Sequence, residues 1–207
     1  MRGFRYLAAV TVLGGLVAGS AATAAAATSQ PARPQASAVH LTGGVTTVTT
    51  APGVASALLD KGIVPLATSP GSQSVLSQGG GPAVRFTFPV TGGRVTLSPL
   101  GGRIDHSGGI LFLNAANGKE IQVSQFTIDL THADLTGIVN GNPAARVPLF
   151  NLSLSHAKLA AGKHTVTASG IGLTLTATAT QALNTALGTT LFSAGLNLGT
   201  AGTLLRF

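Results

Sequence analysis

Between Phe86 and Leu113, apolar side chains recur at every second position. Val84, Phe86, Phe88 and Val90 alternate with Arg85, Thr87 and Pro89. Val95 and Leu97 follow Gly92-Gly93 against Arg94, Thr96 and Ser98; Ile104 and His106 follow Gly101-Gly102 against Arg103 and Asp105; Ser107-Gly108-Gly109 then leads into Ile110 to Leu113. A period of two sends successive side chains to opposite faces of a strand. Glycine pairs mark tight turns, because glycine alone takes positive φ without strain. The pattern predicts a mainly β chain: short antiparallel strands forming a sandwich or a barrel-like domain.

The downstream sequence continues in the same way. Asn117-Gly118 is a hairpin turn signal. Ile121 and Val123 share one face, whereas Phe126, Ile128 and Leu130 share the next phase, so a bulge is expected at Ser124-Gln125. Leu135 and Val139, then Phe150, Leu152 and Leu154, then Ile171, Leu173 and Leu175 mark further strands. From Thr180 to Leu187 the period changes: Leu183 and Leu187 lie four apart and Gly188 follows, which predicts one short C-terminal helix. Leu191-Phe192 and Thr203 to Phe207 are expected to finish the domain as edge strands.

The N-terminus has another character. Arg2 and Arg5, the apolar run Leu7 to Ala18 and the small residues around Ala22-Thr23-Ala24 read as a secretory signal peptide over residues 1–27. An uncleaved anchor is the alternative, for which the run is short and alanine-rich. Residues 28–40 are a Pro/Ser/Ala linker. Residues 41–67 are expected to form a small strand–helix–strand annex, from VTTVTT through a helix between Pro52 and Gly62 to Ile63–Leu66. Residues 68–82, rich in Ser, Gly and Gln, read as a second linker, and 83–207 as the β-rich main domain.

Composition removes several function classes. With no cysteine there is no disulfide, thiolate metal site or cysteine nucleophile. Charged residues are 8% of the chain, against roughly 25% in ordinary soluble domains, and no two of like sign are adjacent. A modest basic excess without a basic stripe or stacking aromatics argues against nucleic acid. Outer-membrane barrels need aromatic girdles, and past the leader there is no Tyr or Trp. Asp105 and His106 point to opposite faces of one strand, which spoils them as a catalytic pair. Ser155-His156-Ala157-Lys158 matches S-x-x-K, but the S-D-N and K-T-G partners of that motif are missing. The chain reads as a non-enzyme.

The histidines are the remaining chemistry. His106 continues the inward phase of Ile104, His132 that of Ile128 and Leu130, and His156 that of Leu152 and Leu154, while His164 shares a phase with Val166. In an up-and-down meander all four would reach the same rim and point inward. Such a rim could hold zinc, another transition metal or haem iron. The alternative is four ordinary strand-end histidines, one edge packed and one wet.

GGRIDHSGGILFL, with VSQFTIDLTHADLTG and RVPLFNLSLSHAKL, resembles the HtaA-type haemin-uptake domain of Gram-positive bacteria over about residues 86–198. Gly102, Ile104, His106, Gly109 and Leu111 carry the likeness. The resemblance implies a secreted or wall-attached β-rich domain. It also implies haem, held in that family by an upstream tyrosine with a supporting histidine. Only His106 carries over, because Tyr6 lies in the leader. The expectation is a secreted, non-catalytic module of the cell envelope that binds a small ligand or an envelope component, with haem or zinc at the histidines as the sharper form. Once the leader is removed, no integral membrane segment is expected.

Overall fold

The computed structural model describes residues 38–78 and 81–207. The expected leader and most of the expected first linker lie outside them. In chain order the elements are β1 (Val39–His40), β2 (Gly43–Thr50), α1 (Val54–Asp60), β3 (Ile63–Thr68), β4 (Ser72–Gln78), β5 (Gly81–Leu97), β6 (Leu100–His106), β7 (Gly109–Asn114), β8 (Lys119–Asp129), β9 (Asp134–Val139), β10 (Asn142–Ser153), β11 (Lys158–Ala161), β12 (Thr165–Leu175), α2 (Ala177–Leu187) and β13 (Asn197–Arg206).

Eight of the strands close an antiparallel barrel in the order β5, β2, β13, β12, β10, β9, β8, β6 and back to β5. A barrel of this size has an interior that side chains just fill, or that holds one small ligand. The inward phase read from the sequence is the core: Phe86, Phe88, Val90, Val95, Ile104, Phe126, Ile128, Leu135 and Leu173 are all buried. Each large side chain contributes about 1.5–3 kcal/mol by leaving water. Phe88 and Phe126 meet edge to face with centroids 4.9 Å apart, a favoured aromatic geometry.

Several boundaries differ from the sequence reading, each for a physical reason. Gly92-Gly93 is not a turn; β5 runs straight through it. Gly93 has φ 131°, and a Cβ there would stand 2.2 Å from the Arg103 carbonyl oxygen. Gly102 is its counterpart, 2.1 Å from the Arg94 carbonyl oxygen. These glycines let β5 and β6 approach closely, and the chain reverses at Ser98-Pro99 instead. Ser107-Gly108 is not a reversal either, because β6 and β7 both run antiparallel to β8.

The expected linker 68–82 carries β4, which pairs with the first half of β5; Ser72, Gln73, Ser74 and Ser77 on it are exposed. At the end of the first linker, Val39 and His40 form β1. The expected annex is not separate: β2 sits in the barrel wall between β5 and β13, and residues 36–207 make one compact unit. β13 is likewise an interior strand between β12 and β2 rather than an edge, and Leu191-Phe192 lies in a loop.

Other expectations match. The bulge is present at Gln125, with φ 50° and a register shift between Ser124 and Thr127. α2 is capped by the Thr176 side chain, which accepts from the Ala179 N–H, and ends at Gly188 in the left-handed region. The carbonyl of Leu187 at its end accepts from the side-chain amides of Asn114 and Asn117 in the β7–β8 hairpin, at 2.9 and 3.0 Å.

Candidate functional site

His106 closes β6 with its side chain inside the barrel, 5% exposed. The Gln125 bulge sets its surroundings. The Gln125 N–H donates to the Gly108 carbonyl at 2.9 Å, and the Phe126 carbonyl lies 3.2 Å from His106 Nδ1. On the other side of the ring, Nε2 lies 2.7 Å from the Thr46 hydroxyl on β2. Thr46 is 2.9 Å from the Thr203 hydroxyl on β13, which lies 3.3 Å from the Val45 carbonyl. Imidazole, two threonines and two carbonyls therefore form one buried chain across four strands.

The proton count of that chain is fixed by chemistry. A carbonyl can only accept, so Nδ1 carries a hydrogen toward Phe126. When the ring is neutral, Thr46 donates to Nε2 and Thr203 donates to Thr46. When the ring is charged, Nε2 donates to Thr46, Thr46 to Thr203, and Thr203 to the Val45 carbonyl. Each hydroxyl carries one hydrogen, so Thr203 donates either to Thr46 or to the Val45 carbonyl, and the imidazole keeps a partner at both nitrogens in either state. Burial lowers the His106 pKa below 6.5, and the Phe126 carbonyl and the outward-facing Asp105 only partly oppose that.

Two spaces meet at His106. Inside the barrel is a cavity of about 90 Å³ whose lining is apolar (Phe88, Phe126, Leu135, Leu173, Leu183 and others) apart from His106, Thr46 and Thr50. Outside is an open groove of about 490 Å³, lined by hydroxyl and amide side chains that include Thr68, Ser107, Gln122, Ser124 and Gln125. His106 lines both. The groove lies where β6 ends, between Thr68–Pro70 after β3, Thr91 on β5, residues 106–108, and Gln122, Ser124 and Gln125 on β8.

The other three histidines do not join it. His132 is exposed in the β8–β9 turn, where Nδ1 meets Asp129 at 2.8 Å. That carboxylate raises the His132 pKa, and His132 lowers that of Asp129 in return. His156 is exposed between β10 and β11, with Nδ1 3.0 Å from the Ser155 hydroxyl. His164 is exposed in the β11–β12 turn. Among the described residues no three His, Asp or Glu side chains are placed to hold a metal ion. The converging rim is thus corrected. It depended on a chain reversal after His106, and since β7 continues the direction of β6, His106 sits within the barrel wall rather than at its end.

Thr46 and Thr203 were not singled out in the sequence. Their signal was a hydroxyl on an inward phase: Thr46, Val48 and Thr50 on β2, and Ala201, Thr203 and Leu205 on β13. Asp105 is turned outward, where it pairs with Arg103 at 3.0 Å and accepts from Thr127, as the strand alternation requires.

No family model matches the chain, and no curated protein matches it by sequence. Solved structures do match in fold. The C-terminal domain of HtaA from Corynebacterium glutamicum superposes with a TM-score of 0.54 at 15% identity, covering 81% of this chain and 98% of that one. The heme binding protein HtaB of the same organism gives 0.43 at 13% identity, covering 82% and 96%. The N-terminal domain of HtaA gives 0.44 at 13%, covering 78% and 97%. The first of these carries the HtaA-type resemblance into the backbone, as a likeness of fold.

Proposed function

We propose that the chain is an exported, non-catalytic binding module of the cell exterior, and that its small ligand is an amphiphile crossing the barrel wall at His106. The observation that carries this is the position of one imidazole between an apolar cavity and a polar groove. Ligand sites combine an apolar lining with a few polar groups that fix orientation, and here the two linings are separated on either side of a single side chain. An uncharged hydrogen-bonding head suits the hydroxyls and amides of the groove; a short apolar tail suits the cavity. Supporting a non-catalytic role, both His106 nitrogens are committed to Thr46 and to a carbonyl. Export rests on the leader pattern of residues 1–27.

Haem is the second reading, favoured by the HtaA-type motif around His106 and by the size of the groove. The residues do not fit it as they stand. Past the leader there is no phenolate, the His106 nitrogens are both bonded, the cavity is about 90 Å³, and the groove lining is polar where a porphyrin face needs apolar contact.

Titration with hexyl glucoside, followed by thermal melting, tests the proposal. A ligand at one hundred times its Kd stabilises by about 2.7 kcal/mol, which for a domain of this size raises Tm by roughly 5–10 °C. Saturable stabilisation that His106→Leu abolishes is expected. No stabilisation, together with a Soret band on adding haemin that the same substitution removes, would replace this reading with the second.

A further inference from the structure

Cations that stand singly in the sequence are gathered by the fold. Arg94 on β5 lies directly opposite Arg103 on β6 and, across its other edge, opposite His40 on β1. Arg206 at the end of β13 comes next: its carbonyl accepts from the Thr42 N–H at 2.9 Å, two residues from His40. Lys163 and His164 in the β11–β12 turn continue the row, the His164 carbonyl accepting from the Phe207 N–H at 3.1 Å. All six side chains are exposed. From β12 to β6 the row crosses four strand spacings, roughly 19 Å at about 4.8 Å each.

The row is poorly neutralised away from Arg103. Asp105 pairs with Arg103, and Asp129, opposite Arg103 on β8, is held by His132; the side-chain hydrogen bond of Arg94 is to His40, itself a base. Like charges directly opposite on neighbouring strands are destabilising, so an anion lying along the row would relieve repulsion built into the register. The strip is narrow and flanked by neutral Thr91, Thr96 and Ser98, which suits an extended chain better than a flat surface. Among the described residues no phenylalanine is exposed, so the strip offers no stacking platform for bases.

We propose that this row binds a linear, base-free phosphate polymer outside the cell. Four permanent cations, Lys163, Arg206, Arg94 and Arg103, engage successive phosphates, with His40 and His164 lying in the same strip. The proposal goes beyond the small-ligand reading and is independent of His106.

Fluorescence anisotropy of end-labelled inorganic polyphosphate with the full chain tests it. Neutralising four phosphates predicts a slope of log K against log salt near −3, and removing any one of the four cations weakens binding about fivefold at 0.1 M salt. Arg94→Gln with Arg206→Gln should therefore reduce affinity about 25-fold. Arg85→Gln with Arg146→Gln removes the same charge elsewhere and should change affinity less than twofold. Equal reductions in the two pairs, or no binding at low salt, would overturn the proposal. So would tighter binding of single-stranded DNA, or strip-dependent binding of phosphatidylglycerol vesicles in place of polyphosphate.

Discussion

Replacing Thr46 with valine should expose how much the barrel depends on its buried His106–Thr46–Thr203 chain. The two side chains are nearly isosteric, so packing changes little, and the loss is confined to the hydroxyl. That hydroxyl holds His106 Nε2 at 2.7 Å and Thr203 Oγ1 at 2.9 Å, in surroundings where Thr46 and His106 are 3% and 5% exposed. Each hydrogen bond is worth about 1 kcal/mol net, and a buried nitrogen left without a partner adds about 1–3 kcal/mol. In Thr46→Val the Thr203 hydrogen turns to the Val45 carbonyl 3.3 Å away, so the orphan is the imidazole. The sum is about 3–5 kcal/mol, or a Tm lower by roughly 6–20 °C, measured by urea denaturation and thermal melting at pH 7.5. Because removing both partners leaves no orphan, Thr46→Val with His106→Leu should cost about 1–2 kcal/mol less than the two single substitutions added together. A Thr46→Val protein within 0.5 kcal/mol of wild type, or a strictly additive pair, would refute the reasoning.

Three other outcomes follow from the same structure. Burial holds the folded pKa of His106 below 6.5, so as pH falls the unfolded chain protonates first; the contribution of the neutral ring is whole above about pH 6.5 and is lost as pH drops toward the folded value. Melting should be lower at pH 5 than at pH 7.5, with a smaller difference in His106→Leu; His132, whose pKa is raised by Asp129, acts with the opposite sign and is removed by His132→Gln. Gly93→Ala should destabilise by at least about 3 kcal/mol in urea, since its Cβ would stand 2.2 Å from a backbone oxygen at φ 131°; a loss below 1 kcal/mol would contradict the close approach of β5 and β6. Gln125→Gly relieves a left-handed backbone at φ 50° and should stabilise by about 0.5–1 kcal/mol in the same assay; clear destabilisation would contradict the bulge.

Alternation alone made most of the barrel wall legible. Phe86, Phe88, Val90, Ile104 and Ile128 were read on one face and are buried on one face. The phase slip at Ser124-Gln125 was legible because two strand segments cannot share a face without an extra residue between them. Glycine was the ambiguous signal. The same residue that permits a turn also permits two backbones to touch, and nothing local distinguishes Gly92-Gly93, inside a strand, from Asn117-Gly118, at a hairpin. That ambiguity had consequences for the site. Misplaced reversals at Gly92-Gly93 and Ser107-Gly108 put His106 at a rim with three other histidines, whereas the through-running chain leaves it in the wall. Its partners were hidden for another reason: Thr46 and Thr203 are 157 positions apart, and only the closure of β2 and β13 side by side brings them together.

The proposed function requires His106 to be a buried, neutral imidazole between the apolar cavity and the polar groove. Proton–nitrogen correlation spectra of the imidazole rings, recorded at pH 7 during a hexyl glucoside titration, test it most directly. The account predicts a neutral His106 with its proton on Nδ1, and Nε2 shifts that move saturably with ligand while those of His132, His156 and His164 stay in place. A His106 ring that is charged at pH 7, or that responds to the glucoside no more than the three exposed rings do, would contradict it.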